Sequence, residues 1–158
     1  MAVDAETGAN SKLVIPALAP LYSSLDKLAW LALRVATGAL LIPHGAQKLF
    51  GAFGGGGLEG TANFFGSVGY PAPELMALLV GIIEFVGGIC LVLGLLTRPV
   101  SVAVAIFMAA AVQFHAANGF FWPAKGFEYP LLWGIAALFF AVKGGGAFSL
   151  DRKIGREI

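Results

Sequence analysis

Residues 75–96 read LMALLVGIIEFVGGICLVLGLL, an apolar run interrupted by one ionisable carboxylate, Glu84. About 20 apolar residues in a helix cross the ~30 Å hydrocarbon layer of a bilayer, so the run predicts a membrane-spanning helix. A water-soluble chain of this length has too little interior to hide it along with everything else. Of 158 residues, 58% are apolar and only 12% charged, against roughly 25% charged in an ordinary soluble domain. The expected surrounding is therefore a lipid bilayer, and the length allows one domain. A net charge of +1 supplies no broad basic surface, so nucleic acid is not an expected partner. Cys90 is the only cysteine and lies in the same run, which excludes an internal disulfide, a CxxC couple and any metal site built from several thiolates.

Three more apolar segments accompany this one. The first runs from about Ser24, where Ser23 and Ser24 can cap and Asp26 suits a helix start, to Phe50. After the run at 75–96 and the link TRP at 97–99, a third covers Val100–Ala117 and a fourth Tyr129–Val142. The fourth is short, and either begins nearer Lys125 or borrows thickness from an interfacial GFFWP stretch at 119–123. Four spans place both ends of the chain on one side. That side carries Lys12, Lys27, Arg98, Lys143, Arg152, Lys153 and Arg156, and the other only Lys48 and Lys125. The positive-inside rule then makes the termini cytoplasmic in a multi-pass protein of the bacterial inner membrane. The expected fold is an all-α integral membrane four-helix bundle over 24–147. A polar N-terminal tail and interfacial segment occupies 1–23, and a C-terminal tail 148–158. MAVDAETGANSK, acidic where a signal peptide is basic, reads as a retained cytoplasmic tail. GTANFFGSVGYP at 60–71 can form a short amphipathic surface helix. GAFGGGGLEG at 51–60 lacks the GK[ST] ending of a phosphate loop and reads as a flexible loop.

Polar residues inside the spans need a reason, because a charge at the bilayer centre costs roughly 2.5 to 3.5 kcal/mol on insertion scales. Arg34, Gly38, Leu41, Gly45 and Lys48 follow steps of four and three and form one stripe of the first helix. Gly81, Glu84 and Gly88 form a matching stripe on the second, and the glycines allow close helix approach. A buried ion pair between Arg34 and Glu84 is expected, fixing which helix packs on which or taking part in a site. The same glycine faces also allow homo-oligomerisation.

IPHGAQKLFG at 42–51 sets His44, Gln47 and Lys48 beyond Pro43, a residue that removes a helix hydrogen bond and predicts a kink. QFHAANGFFWP at 113–123 brings His115 to a similar depth, and Glu128 starts the fourth span. With Phe114, Phe120, Phe121 and Trp122 around them, these groups suit a flat amphipathic ligand such as a quinone head group. Aromatic walls hold the ring, and His and Lys serve its carbonyl oxygens and exchange protons. The competing reading is that His44 and Lys48 snorkel to the headgroup layer. A metal is not expected, since the histidines and glutamate lack diagnostic spacing, and neither is a covalently bound cofactor.

The strings LRVATGALLIPHGAQKLFG, FFGSVGYPAPELMALLVGIIEFVGGICLVLGLLTRP, FHAANGFFWP and the terminal FSLD resemble the DoxX family of small bacterial four-helix membrane proteins, over about residues 28–151. The resemblance marks Arg34, His44, Lys48, Glu84 and His115 as family-like positions. Relatives include a subunit of an archaeal thiosulfate:quinone oxidoreductase and proteins associated with thiol and superoxide defence enzymes. It therefore implies a subunit of a membrane redox complex with a protein partner. Three functions follow in order: a quinone-binding subunit of an oxidoreductase complex linked to sulfur, thiol or oxidative-stress metabolism; a non-catalytic anchor or assembly factor; and a small transporter.

Overall fold

The computed structural model describes residues 13–156, all helix and connecting turns with no strand among them. The N-terminal tail expected at 1–12 lies outside the described residues. Six α-helices follow one another: α1 (Ala19–Phe50), α2 (Gly57–Ser67), α3 (Pro73–Leu93), α4 (Thr97–His115), α5 (Glu128–Lys143) and α6 (Leu150–Ile154). Helix α1 packs along α3, α4 along α5, and α2 lies against α3.

Two of these helices are long and apolar enough to cross a membrane: α3, and α4 with its continuation to Asn118. The outward side of α3 is a stripe of Leu75, Leu79, Ile82, Val86, Ile89 and Leu93, all exposed, while Gly81, Glu84 and Gly88 are buried. An apolar face turned out and a carboxylate turned in is the arrangement a helix adopts when its solvent is hydrocarbon. The apolar cluster at the centre is small, formed by Leu41, Leu91, Val104, Met108 and Ala137.

Several boundaries differ from the sequence expectation. Helix α1 begins at Ala19, with Pro20 in its first turn. Ser23 and Ser24 therefore sit inside it and donate to the Pro20 carbonyl at 2.9 and 2.8 Å instead of capping. The helical assignment continues through Pro43 to the left-handed cap at Gly51. The link between α3 and α4 is Gly94–Leu96, and Thr97, Arg98 and Pro99 form the first turn of α4, where a missing proline N–H costs nothing. Helix α5 starts at Glu128; Lys125, with φ of 60°, ends a short 3-10 turn at Trp122–Ala124 and separates the two. The glycine-rich stretch is shorter as a loop than expected, because α2 already begins at Gly57.

The stripes meet as their glycines predict. A Cβ on Gly38 would come 2.5 Å from the Gly88 carbonyl oxygen, and one on Gly45 would collide with the Phe85 backbone. These contacts fix an antiparallel register that overturns the expected Arg34–Glu84 pair. Glu84 falls beside the Lys48 end of α1, and its carboxylate receives Lys48 Nζ at 2.6 Å. Arg34, about 21 Å further along the helix at ~1.5 Å per residue, falls beside the C-terminus of α3. Its guanidinium donates to the carbonyls of Leu91 (2.6 Å), Val92 (3.0 Å) and Phe148 (2.9 Å). A cation there complements the negative end of the α3 dipole, at carbonyls of its last turn.

The FSLD segment completes this end of the molecule. Both Asp151 carboxylate oxygens accept backbone N–H groups at the start of α4, from Leu96 at 2.7 Å and Thr97 at 2.8 Å. Ser149 caps α6, and the Asp151 N–H donates to the Gly94 carbonyl at 2.9 Å. Residues set off on sequence as the start of a tail are thus built into the helical body, with Ser149 and Asp151 buried.

Candidate ligand cavity

At the opposite end, α1, α3, α4 and α5 diverge around a cavity of ≈ 320 Å³ that α2 partly covers. His44 and Lys48 reach it from α1, Glu84 from α3, His115 from α4, and Tyr129 and Trp133 from α5. Its remaining lining is almost entirely apolar, including Met76, Val80, Phe107 and Met108.

A chain of aromatic rings lines the cavity and joins the two histidines. It passes from His44 to Trp133, Tyr129, Trp122 and His115, then through Phe114 and Phe64 to Phe65 and Tyr70. Successive centroids lie 5.1 to 6.3 Å apart, within the range in which edge-to-face and offset pairs attract. The Phe64–Phe114 contact, 5.8 Å between centroids, closes α2 onto α4.

The polar groups have defined orientations. His115 Nδ1 lies 2.7 Å from the Lys125 carbonyl oxygen, which also accepts from Asn118 Nδ2 at 3.1 Å. A carbonyl can only accept, so Nδ1 carries the hydrogen and a neutral His115 keeps the Nε2 lone pair free to take a proton. The loop at 119–127 folds back to supply that carbonyl, with the Phe127 N–H donating to Gly119 and the Glu128 N–H to Phe120. The His44 and Trp133 rings meet almost at right angles, 5.9 Å between centroids. The Lys48–Glu84 pair forms a charged floor: the Glu84 side chain is 6% exposed and the Lys48 side chain 26%.

The structure therefore brings His44, Lys48 and His115 together, with Phe114 and Trp122 beside them. Two residues expected there do not line the cavity: Gln47 Nε2 turns to the Phe53 carbonyl at 3.4 Å, and Glu128 begins α5 without reaching in. Phe120 instead packs between Phe121 and Phe127. Glu84, expected at the helix interface with Arg34, is a cavity group. Tyr70, Tyr129 and Trp133 were not anticipated from sequence, although the four-residue spacing of Tyr129 and Trp133 on the fourth span is a signal that places both on one helix face.

Residues 29–118 match the family model named DoxX. The chain belongs to the DoxX family. Among curated relatives of this DoxX protein, CatD of Bacillus subtilis, whose name assigns it provisionally to the oxidoreductases, is 35% identical over 121 residues, covering 77% of this chain and 83% of CatD. A Haemophilus influenzae protein is 40% identical over 114 residues, covering 63% of this chain and 82% of the relative. The inner membrane protein YphA of Escherichia coli is 32% identical over 126 residues, 76% of this chain and 86% of YphA. No solved structure matches. The family and its membrane-protein relatives place this DoxX protein in contact with a lipid bilayer, in agreement with the apolar outer face of α3.

Proposed function

We propose that this DoxX protein is a four-span protein of the bacterial inner membrane that binds a quinone, or a similar lipid-soluble redox molecule, near the outer face. In this reading it serves an oxidoreductase complex linked to sulfur, thiol or oxidative-stress metabolism. In this reading helices α1, α3, α4 and α5 cross the bilayer with both termini cytoplasmic, an orientation that the distribution of Lys and Arg supports. The observation that carries the ligand reading is the ring-lined cavity, which sets both histidines and one part-buried ion pair in an otherwise apolar wall.

The residues fit such a ligand. The volume lies at the small end of ligand cavities, the walls are aromatic, and the few polar groups converge. A quinone, when bound, supplies a lipid-soluble carrier of two electrons and two protons. His115, held by the Lys125 carbonyl, offers Nε2 as an acceptor for a hydroxyl proton. Lys48 is a donor for a carbonyl oxygen, and Glu84 holds it in place and balances its charge. His44, across the cavity, is the second proton-exchanging group. Cys90 is half-buried and outside the cavity, so in this reading thiol chemistry falls to a partner protein. The provisional oxidoreductase name of CatD supports this direction.

A second reading, a non-catalytic anchor or assembly factor, draws on Phe53 and Phe121, which stand 75% and 69% exposed in the loops at the cavity end and offer apolar handles to a partner. Mass spectrometry of the organic extract separates the two. The wild-type protein, purified in mild detergent, is expected to carry a quinone near one per chain, and folded His44→Ala and His115→Ala variants to lose it. Quinone at the level of an unrelated membrane protein prepared alike would transfer the assignment to the anchor.

A further inference from the structure

A second cavity, ≈ 600 Å³, opens at the other end of the molecule, between the stretch of α1 at 26–30, the end of α5 and α6. Its side chains are unlike those of the first. Lys27, Lys143, Arg152 and Arg156 contribute four cations, against the carboxylates of Asp26 and Asp151. Asp151 is already committed, since both its oxygens receive N–H groups at the start of α4. Among the described residues, Lys27, Arg152 and Arg156 then outnumber the one remaining carboxylate, Asp26.

The fold creates this concentration of charge. Ser149 caps the short α6, and the left-handed Gly155 ends it, so the chain turns back and brings Arg156 to the same cavity as Arg152. Both arginines are exposed, and guanidinium groups match the oxygens of a phosphate better than any other side chain. Trp30 forms part of the wall, anchored by its Nε1 donating to the Gly144 carbonyl at 3.3 Å. An indole with one polar end is a residue of the membrane–water interface.

We infer that this cavity binds the phosphate head group of an anionic phospholipid. A soluble phosphate ester shares the charge chemistry, but the surroundings favour the lipid. Leu33, on the flank of the α1 face that carries Asp26 and Trp30, is exposed, and so are Val142 and Phe148, the chain neighbours of Lys143 and Ala147 in the cavity wall. These leave apolar tracks for acyl chains next to the cationic cavity. Basic pockets at the cytoplasmic ends of spanning helices hold anionic head groups by this combination. The inference rests on the bilayer contact of the family and not on what occupies the first cavity.

Native mass spectrometry of the full chain in mild detergent tests it, titrating phosphatidylglycerol and phosphatidylcholine of identical acyl chains. The wild type is expected to retain one phosphatidylglycerol in preference to phosphatidylcholine. The Arg152→Gln/Arg156→Gln double variant, and independently Lys27→Gln, are expected to lose that preference, the double variant by about tenfold or more. Unchanged melting midpoints and monodisperse elution in the same detergent show that the variants fold. Equal retention of the two lipids by the wild type, or undiminished preference in both folded variants, overturns the inference. Displacement of phosphatidylglycerol by glycerol 1-phosphate at equal concentration would overturn the lipid assignment in favour of a soluble phosphate ester.

Discussion

Glu84 has two cations on the facing stripe of α1, and backbone contact chooses between them. With Gly88 against Gly38 and Phe85 against Gly45, the carboxylate lies beside Lys48, and Arg34 is left to the carbonyls of Leu91, Val92 and Phe148. Removing one member of a buried pair strands the other, at a cost of about 3–5 kcal/mol, whereas an apolar pair of similar volume is often nearly neutral. Lys48→Met is therefore expected to lower stability in detergent by that order, and the double variant Lys48→Met/Glu84→Leu to recover most of the loss. Additive losses in the double variant, measured by denaturant or thermal unfolding, would show that the two groups do not act as a pair. If Lys48 holds a ligand oxygen, the double variant regains stability without regaining ligand.

At the scale of elements, α1 and α3 approach closely because each presents glycine where the other presents backbone. Gly38 is a direct test of this: a Cβ there meets the Gly88 carbonyl, Leu91 and Val92 within 2.9 Å. Gly38→Ile is expected to force the helices apart and cost at least the ~1–3 kcal/mol typical of overpacking. Gly60, in α2, has nothing within 4 Å of the position its Cβ would take. Gly60→Ala is therefore expected to be neutral or to stabilise by up to about 1 kcal/mol through helix propensity. Melting midpoints of the two variants in the same detergent check the contrast, and equal effects would contradict the interface described here.

The whole molecule has two chemically different ends. The ring-lined cavity lies where α2 and the loop at 119–127 cover the helix ends, and the cationic cavity lies beside α6 and the link at Gly94–Leu96. The proposed topology puts the first outside and the second in the cytoplasm. With Cys90→Ala as background, an impermeant maleimide applied to intact cells with a permeable outer layer is expected to label Ser67→Cys and not Lys153→Cys, both exposed positions. The reverse labelling would invert the molecule, and labelling of both would place the two cavities on one side of the membrane.

Composition and periodicity alone determined the solvent and the faces. An apolar run of bilayer length, with glycines and one carboxylate at helical spacing, leaves a helix little choice but to turn Leu, Ile and Val outward and Gly81, Glu84 and Gly88 inward. The same reasoning found His44, Lys48 and His115, because polar groups in apolar helices are rare and must face something other than lipid. Helical periodicity fixes a face but not a depth, so the partner of Glu84 had to await the register of α3 on α1. Loops carry no period at all. Only the tertiary structure turned Gln47 to Phe53, kept Glu128 out of the cavity, aimed His115 through the Lys125 carbonyl and folded Asp151 back onto α4. Each of these depends on backbone groups distant in sequence, brought together when the helices pack.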